Sequence, residues 1–326
     1  MRSIFKMSSD DMPPNVCEGV IHYDEEEEGG EVIMLLNLEQ ILGPAREHGF
    51  AVGGFNVTES TMFKAVAEQA EADKAPMIVQ VSPNEFQFAE REQYLYFTAR
   101  LRRSENPFVL HYDHGKTFEG CVRAVQAGFT SVMFDGSHLP YEENVRLTRK
   151  VAEMAHAAGV SVEGEIGSVG ETADFERGII EDMVYSTPEE ACRFVRDTGI
   201  DALAVSVGTV HGLLPKGFVP CLQQELLKEI AFRTEVPLVL HGGSGTPEEQ
   251  VAEACKNGIS KVNISSEFKC AYYRRVRRFI EENPAVVSPT KVLSGGVEEV
   301  KRVVHTKLAV FGSVGKAGYY GNGAVG

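Results

Sequence analysis

The chain of 326 residues carries 32 Lys and Arg against 47 Asp and Glu, a formal net charge of −15. That balance argues against general nucleic-acid binding, and no apolar stretch approaches the roughly 18 residues of a membrane span. At 43% hydrophobic and 24% charged residues it reads as a soluble globular chain, with length for one large α/β barrel or two smaller domains.

Residues 1–34 hold an acidic run at 25–28, two prolines and no apolar core of the kind a signal peptide needs. They read as a disordered acidic extension, with a short organelle address inside residues 1–7 left open. The six cysteines are scattered and form no C-x-x-C pair, which suits reduced thiols and a cytoplasmic location. Folded sequence is expected from Leu35. Asn37 can cap a helix ending at His48-Gly49. A strand over 50–57, a helix over 60–72, a strand over 77–82 and a helix over 90–103 follow from the hydrophobic periodicity. The short apolar run over 107–115 then ends in Asp113, His114 and Gly115, the pattern of a strand buried on both faces.

The alternation continues with helices over 118–127, 141–158, 188–198, 222–233 and 247–257. Each of these precedes a strand, over 131–135, 160–166, 202–207, 238–241 and 261–264 respectively. Helices over 267–282 and 297–307 finish the fold, and the Gly- and Tyr-rich tail, free from about residue 318, is expected to be mobile. Eight strands, each followed by a helix, predict a (β/α)8 TIM barrel with extra C-terminal helices. A doubly wound open sheet is the alternative, weakened because no G-x-G-x-x-G turn follows the first strand.

In such a barrel the chemistry sits at the C-terminal strand ends. Of nine histidines, His114, His211 and His241 lie at or just past the ends of strands three, six and seven, each followed by glycine. One strand-end histidine is more often a hydrogen-bonded neighbour than a ligand, but three on separate strands can converge. Three imidazoles with an open fourth position make a catalytic zinc set, for which Co(II) and Mn(II) are also chemically suitable. His111 lies two residues before Asp113, on the same strand face, and is the weaker ligand candidate. Asp113 suits acid/base work beside a metal, against the alternative of a helix cap or hydrogen-bond acceptor. The turn Gly242-Gly243-Ser244-Gly245 opens a helix and can present N–H groups to a phosphate, with Asn263, Ser265 and Ser266 beside it. The loop after strand five carries Glu171, Asp174 and Glu176 between glycines, as a mobile lid or an ordinary acidic loop.

These residues also resemble a family. Gly54-Phe55-Asn56-Val57, His111-Tyr-Asp-His-Gly115, Asp135-Gly-Ser-His138, Val162-Glu-Gly-Glu-Ile-Gly167, the stretch from Ala204 to Gly212, Val239-Leu-His-Gly-Gly-Ser244 and Phe311-Gly-Ser-Val-Gly-Lys-Ala317 are similar to the class II, zinc-dependent ketose-bisphosphate aldolases. The resemblance runs from about residue 36 to 317 and implies a dimeric or tetrameric barrel. It implies Zn(II) on His114, His211 and His241, with Glu165 as an alternative ligand, and a monovalent cation (Na+ or K+) near the phosphate. It makes Asp113 the group that exchanges the C4 hydroxyl proton. Gly212, Lys216, Gly242, Ser244 and Ser266 match positions around dihydroxyacetone phosphate. Asn263 matches a hydroxyl ligand, Asn56 and Ser82 join the substrate set, and Lys269 matches a basic position near the distal phosphate.

Two departures stand out. Ala173 falls where relatives carry a loop glutamate, leaving Glu171 or Asp174 as the carbon acid/base, and Ser265 differs from both the fructose and the tagatose patterns. The expected activity is reversible cleavage of fructose 1,6-bisphosphate in glycolysis or gluconeogenesis. The alternatives are tagatose 1,6-bisphosphate or another phosphorylated ketose, and an inactive phosphosugar-binding relative. A barrel-type metal hydrolase is disfavoured because Gly-Phe-Asn-Val, not His-x-His, follows strand one.

Overall fold

The computed structural model describes residues 34–167, 170–171, 184–212 and 219–321, with only the backbone given at 170, 171 and 211. The extension expected over 1–34 therefore lies outside the described residues except for Met34, which is buried and accepts the N–H of Phe108 at 2.7 Å. Eight parallel strands close into a barrel: β1 (Val52–Asn56), β2 (Met77–Val81), β3 (Phe108–Gly115), β4 (Ser131–Phe134), β5 (Ser161–Ile166), β6 (Ala202–Val205), β7 (Leu238–Leu240) and β8 (Ile259–Ile264). Sequential neighbours pair around the ring and β8 closes on β1, with Gly54 opposite Asn263. The TIM-barrel expectation holds.

The helices follow the expected alternation: α1 (Leu38–His48), α2 (Ser60–Ala72), α3 (Pro83–Phe88), α4 (Arg91–Arg102), α5 (Phe118–Gln126) and α6 (Tyr141–His156). Beyond these come α7 (Pro188–Thr198), α8 (Gln224–Arg233), α9 (Glu248–Lys256), α10 (Ser266–Glu282) and α11 (Pro289–Val310). α1 is capped by Asn37, whose side chain accepts the Gln40 N–H at 3.0 Å. Its Leu38, Ile41, Leu42 and Ala45 are buried against Val52, Ile78, Val109, Ala202, Ala204 and Val239. Burying each large aliphatic side chain is worth about 1.5–3 kcal/mol, so this apolar plug seals the N-terminal end of the barrel.

Three elements differ from expectation. α3 was not expected, yet Ser82-Pro83-Asn84-Glu85 is a helix-start pattern: Pro83 sits in the first turn and the Glu85 carboxylate accepts the Ser82 N–H at 2.8 Å. α11 begins at Pro289 rather than at 297 because Gly295 and Gly296 do not break it. A Cβ on Gly296 would lie 2.7 Å from the Tyr272 ring, so glycine there lets α10 and α11 pack closely. Past Phe311, Lys316–Tyr320 forms a 3-10 turn whose Tyr320 is buried and donates to the Ile41 carbonyl at 2.7 Å. The chain thus stays packed past the point where a free tail was expected.

Inside the barrel, above the apolar plug, the side chains turn polar. Gln80, His111, Glu163 and Lys261 are all fully buried. Gly54 makes room among them: a Cβ there would lie 1.8 Å from Gln80 Oε1. Gly54→Ala is therefore expected to displace Gln80 from Asn56 and to destabilise the fold by about 1–3 kcal/mol, read by denaturant melts. A melt unchanged from the parent would show that Gln80 moves aside freely.

Candidate active site

The strand order β2–β1–β8–β7 brings residues remote in sequence to one mouth. β3 carries Asp113 and His114, consecutive residues whose side chains should leave a regular strand on opposite faces. The structure resolves this with a bulge: between Tyr112 and Gly115 the register against β4 slips. His114 takes a left-handed backbone conformation, φ 53°. Such a conformation in a non-glycine residue stores about 1–3 kcal/mol, and bulges re-aim side chains near active sites. The result is that both Asp113 and His114 line the mouth.

Two amide groups grip Asp113. Asn56 Nδ2 donates to Oδ2 at 2.8 Å and Asn263 Nδ2 to Oδ1 at 3.0 Å. Burial works against its charge, but the positive fields of His114 and Lys261 outweigh that and hold the carboxyl well below the usual carboxylate range.

His114 and His241 face each other, Nε2 to Nδ1, at 2.9 Å. Behind each ring stands a buried carboxylate. Asp135 Oδ2 lies 3.0 Å from His114 Nδ1, and Glu163 Oε1 lies 2.8 Å from His241 Nε2. If each carboxylate takes its ring N–H, the two facing nitrogens present lone pairs to one another, and a positive species must lie between them. Burial disfavours charge on His114, yet Asp113, Asp135 and Glu165 overcome it and raise its pKa to about 9. Burial, then the His114 charge, lowers that of His241.

Glu163 and Glu165 lie two residues apart on β5 but behave oppositely. Glu163 Oε2 accepts from Lys261 Nζ at 2.6 Å, both side chains being fully buried. Burial opposes its charge, but Lys261, His241 and His111 pull its pKa down to about 2. Burial, then Asp135, pushes Glu165 up to about 8. Glu165 Oε2 is buried without a hydrogen-bond partner among the described residues, 3.9 Å from His114 Nδ1 and 4.0 Å from His241 Nδ1. Among the described residues, Asp113, His114 and His241 form one group able to hold a metal ion, and His114, Asp135 and Glu165 another. An orphaned carboxylate oxygen, two facing imidazoles and orienting carboxylates behind them fit a divalent cation. His111 belongs to neither group: its Nδ1 meets Ser131 Oγ at 2.8 Å, its Nε2 lies 3.6 Å from Glu163 Oε2, and burial, then Lys261, lowers its pKa to about 3.

A cavity of about 220 Å³ opens onto these groups, lined by Asn56, Ser82, Glu85, Asp113, His114, Gly212, Gly242, Ser244, Asn263, Ser265, Ser266 and Lys269. Ser244 Oγ accepts N–H groups of Ser265 and Glu267 at the start of α10, at 3.2 and 3.4 Å. Gly243 does not line the cavity. It turns toward β8, where its N–H donates to the Asn263 carbonyl at 3.1 Å. Val210–His211 pairs in parallel with Gly170–Glu171, Glu171 opposite His211, so the loop after β5 meets the loop after β6 at the mouth. The His211 and Glu171 side chains, Lys216, Ala173 and Asp174 lie outside the described residues.

Asp135, Glu163, Lys261, Gln80 and Glu85 were not among the sequence-derived candidates. For Glu163 and Lys261 the signal is the period of two: Glu163 with Glu165, and Lys261 with Asn263, put charged or polar groups on one face of otherwise apolar strands.

Comparison with known proteins agrees with this geometry. A family model described as fructose-bisphosphate aldolase class-II matches residues 36–316. The chain is 40% identical over 287 residues to the fructose-bisphosphate aldolase of Geobacillus stearothermophilus, covering 87% of this chain and 99% of that one. It is 37% identical over 286 residues to the 6-phospho-5-dehydro-2-deoxy-D-gluconate aldolase of Bacillus licheniformis, covering 86% and 96%. Among solved structures, the YdjI aldolase of Escherichia coli K12 superposes with a TM-score of 0.76 at 29% identity, covering 87% of this chain and 100% of that one.

Proposed function

Because the chain belongs to the class II fructose-bisphosphate aldolase family, we propose that it reversibly cleaves fructose 1,6-bisphosphate to dihydroxyacetone phosphate and glyceraldehyde 3-phosphate. The observation that carries this reading is the pair of facing imidazoles, each backed by a buried carboxylate, beside a carboxylate gripped by two amides. His114 and His241, with His211, would hold Zn(II), and Glu165 is the alternative ligand. When bound, the metal supplies Lewis-acid stabilisation of negative charge at the substrate oxygens, worth several kcal/mol.

The chain's own residues do the rest. Asp113, kept ionised and aimed by Asn56 and Asn263, accepts the C4 hydroxyl proton as the C3–C4 bond breaks. Asn263 also orients a substrate hydroxyl. Gly212, Gly242, Ser244 and Ser266 cradle the phosphate of the three-carbon fragment. Lys216 joins that cradle. Glu171 or Asp174 handles the proton at carbon, and we favour Glu171 because its backbone pairs beside His211. The protein works as a cytoplasmic homo-oligomer in sugar-phosphate breakdown and synthesis.

Removing metal tests the reading. Dialysis against a chelator, with metal content verified, is expected to abolish cleavage, and zinc is expected to restore it. Full cleavage by the metal-depleted protein would sink the proposal. A relative named for a phosphorylated keto sugar acid favours a second reading with the same chemistry on another phosphorylated substrate. Comparing kcat/KM for fructose and tagatose 1,6-bisphosphate, epimers at C4, separates the two within the bisphosphates.

A further inference from the structure

Glu85 is the one carboxylate lining the cavity, among the described residues, to which the cleavage chemistry assigns no task. It sits on α3 and is buried, yet its carboxylate lines the cavity. Oε1 takes the Lys269 ammonium and the Thr58 hydroxyl, the latter at 3.3 Å, while Oε2 takes the Ser82 N–H at 2.8 Å. Lys269 also donates to Ser265 Oγ at 3.1 Å. Lys269 is the one Lys or Arg among the described residues lining the cavity, and a carboxylate already holds it.

The strand order gives the cavity two unlike ends. Gly242 and Ser244 follow β7, and Gly212 follows the Val210–His211 strand, so one end offers glycine and hydroxyl groups. Glu85 follows β2 and Lys269 follows β8, the two strands that flank β1, so the other end is closed by an ion pair above β1. A phosphate reaching that second end meets a carboxylate and must draw Lys269 from its partner. A hydroxyl group can instead donate to Glu85 with the ion pair intact.

We propose that Glu85 is a specificity-determining residue: by holding Lys269 in an ion pair at the β1–β2 end of the cavity, it lowers the preference for a phosphate over a hydroxyl on the aldehyde fragment, so that the bisphosphate is accepted with less discrimination than a free Lys269 would give. This rests on the aldol reading above and names the class of acceptor the site discriminates. Like-charge juxtaposition at a buried contact is strong enough to change relative affinity on the order of 10- to 100-fold.

The test is condensation of dihydroxyacetone phosphate, on the metal-loaded enzyme, with D-glyceraldehyde 3-phosphate or with D-glyceraldehyde. Glu85→Gln still accepts the Ser82 N–H and is expected to raise the ratio of kcat/KM, phosphorylated over unphosphorylated, roughly 10- to 100-fold, mainly through KM. Glu85→Asp retains the charge and is expected to keep the ratio near that of the parent, and adding Lys269→Met to Glu85→Gln is expected to cancel the gain. A ratio within twofold of the parent in folded Glu85→Gln, or in folded Glu85→Ala should the first variant melt early, overturns the proposal and leaves Glu85 as a helix cap. A parent enzyme that condenses neither aldehyde removes the aldol reading and this inference with it, whereas turnover with an unmoved ratio removes this inference alone.

Discussion

Replacing Asp113 with alanine is expected to lower kcat for ketose cleavage by about 10²- to 10⁴-fold, the range of a lost general base. The bound metal should stay at the parent stoichiometry. The two effects separate because Asp113 is gripped by amides, Asn56 and Asn263, while His114 and His241 are oriented by other carboxylates, Asp135 and Glu163. If Asp113 moves a proton only as the bond breaks, kcat and kcat/KM fall together. Asn56 and Asn263 would lose an acceptor but border a cavity, where water can replace it, so the melting transition should move little. Metal content by elemental analysis and steady-state kinetics on the same sample decide the matter. A variant with kcat within tenfold of the parent would exclude Asp113 as the base, and a variant without metal would make it a ligand.

The second large effect lies beneath the mouth. Lys261→Met is expected to destabilise the fold by about 3–5 kcal/mol, because it leaves the Glu163 carboxylate buried without its cation. Lys261 and Glu163 are 98 residues apart in sequence and meet across the closed barrel with no exposure to solvent. Glu163 in turn orients His241, so the same substitution is expected to weaken metal binding by about 10- to 100-fold. The double change Lys261→Met with Glu163→Gln removes both charges while Gln can still accept from His241, and should recover most of the stability. Denaturant melts and metal titration of the two variants distinguish charge from packing. Equal melts for Lys261→Met and the parent would mean that Glu163 takes up a proton without penalty.

The polar interior explains how neighbouring carboxylates acquire different properties. Glu163 and Glu165 share one strand and one face. Lys261 stands against the first and Asp135 near the second, so one is driven to ionise and the other to hold its proton in the absence of a further cation. Nothing within residues 161–166 distinguishes them. The bulge at His114 is similar: residues 107–115 read as a regular strand delivering two adjacent polar groups. The slip against β4 and the left-handed turn at His114 belong to the pairing with its neighbour.

Local pattern was enough for a good deal. Strand and helix alternation comes from hydrophobic periodicity, which each segment carries alone, and eight such units imply a barrel whose C-terminal strand ends meet. That is why Asp113, His114, Gly242, Ser244, Asn263, Ser265 and Ser266 could be named from the strand ends, with Asn56 and Lys269 added by the family resemblance, and why they border one cavity. α3 could also have been read, from Ser82 and Glu85, since a capping pattern is local.

What local pattern could not supply is any property set by a partner distant in sequence. The Lys261–Glu163 pair, the carboxylates behind the two histidines and the turning of Gly243 toward β8 all join different strands of the barrel, and the Lys269–Glu85 pair joins elements that meet only when β8 closes on β1. The sequence by itself determined which chemical groups arrive at the mouth. Closure of the barrel decided which of them face each other, and hence which carry charge, because a buried group's ionisation depends on the charges within a few ångströms and not on its neighbours along the chain.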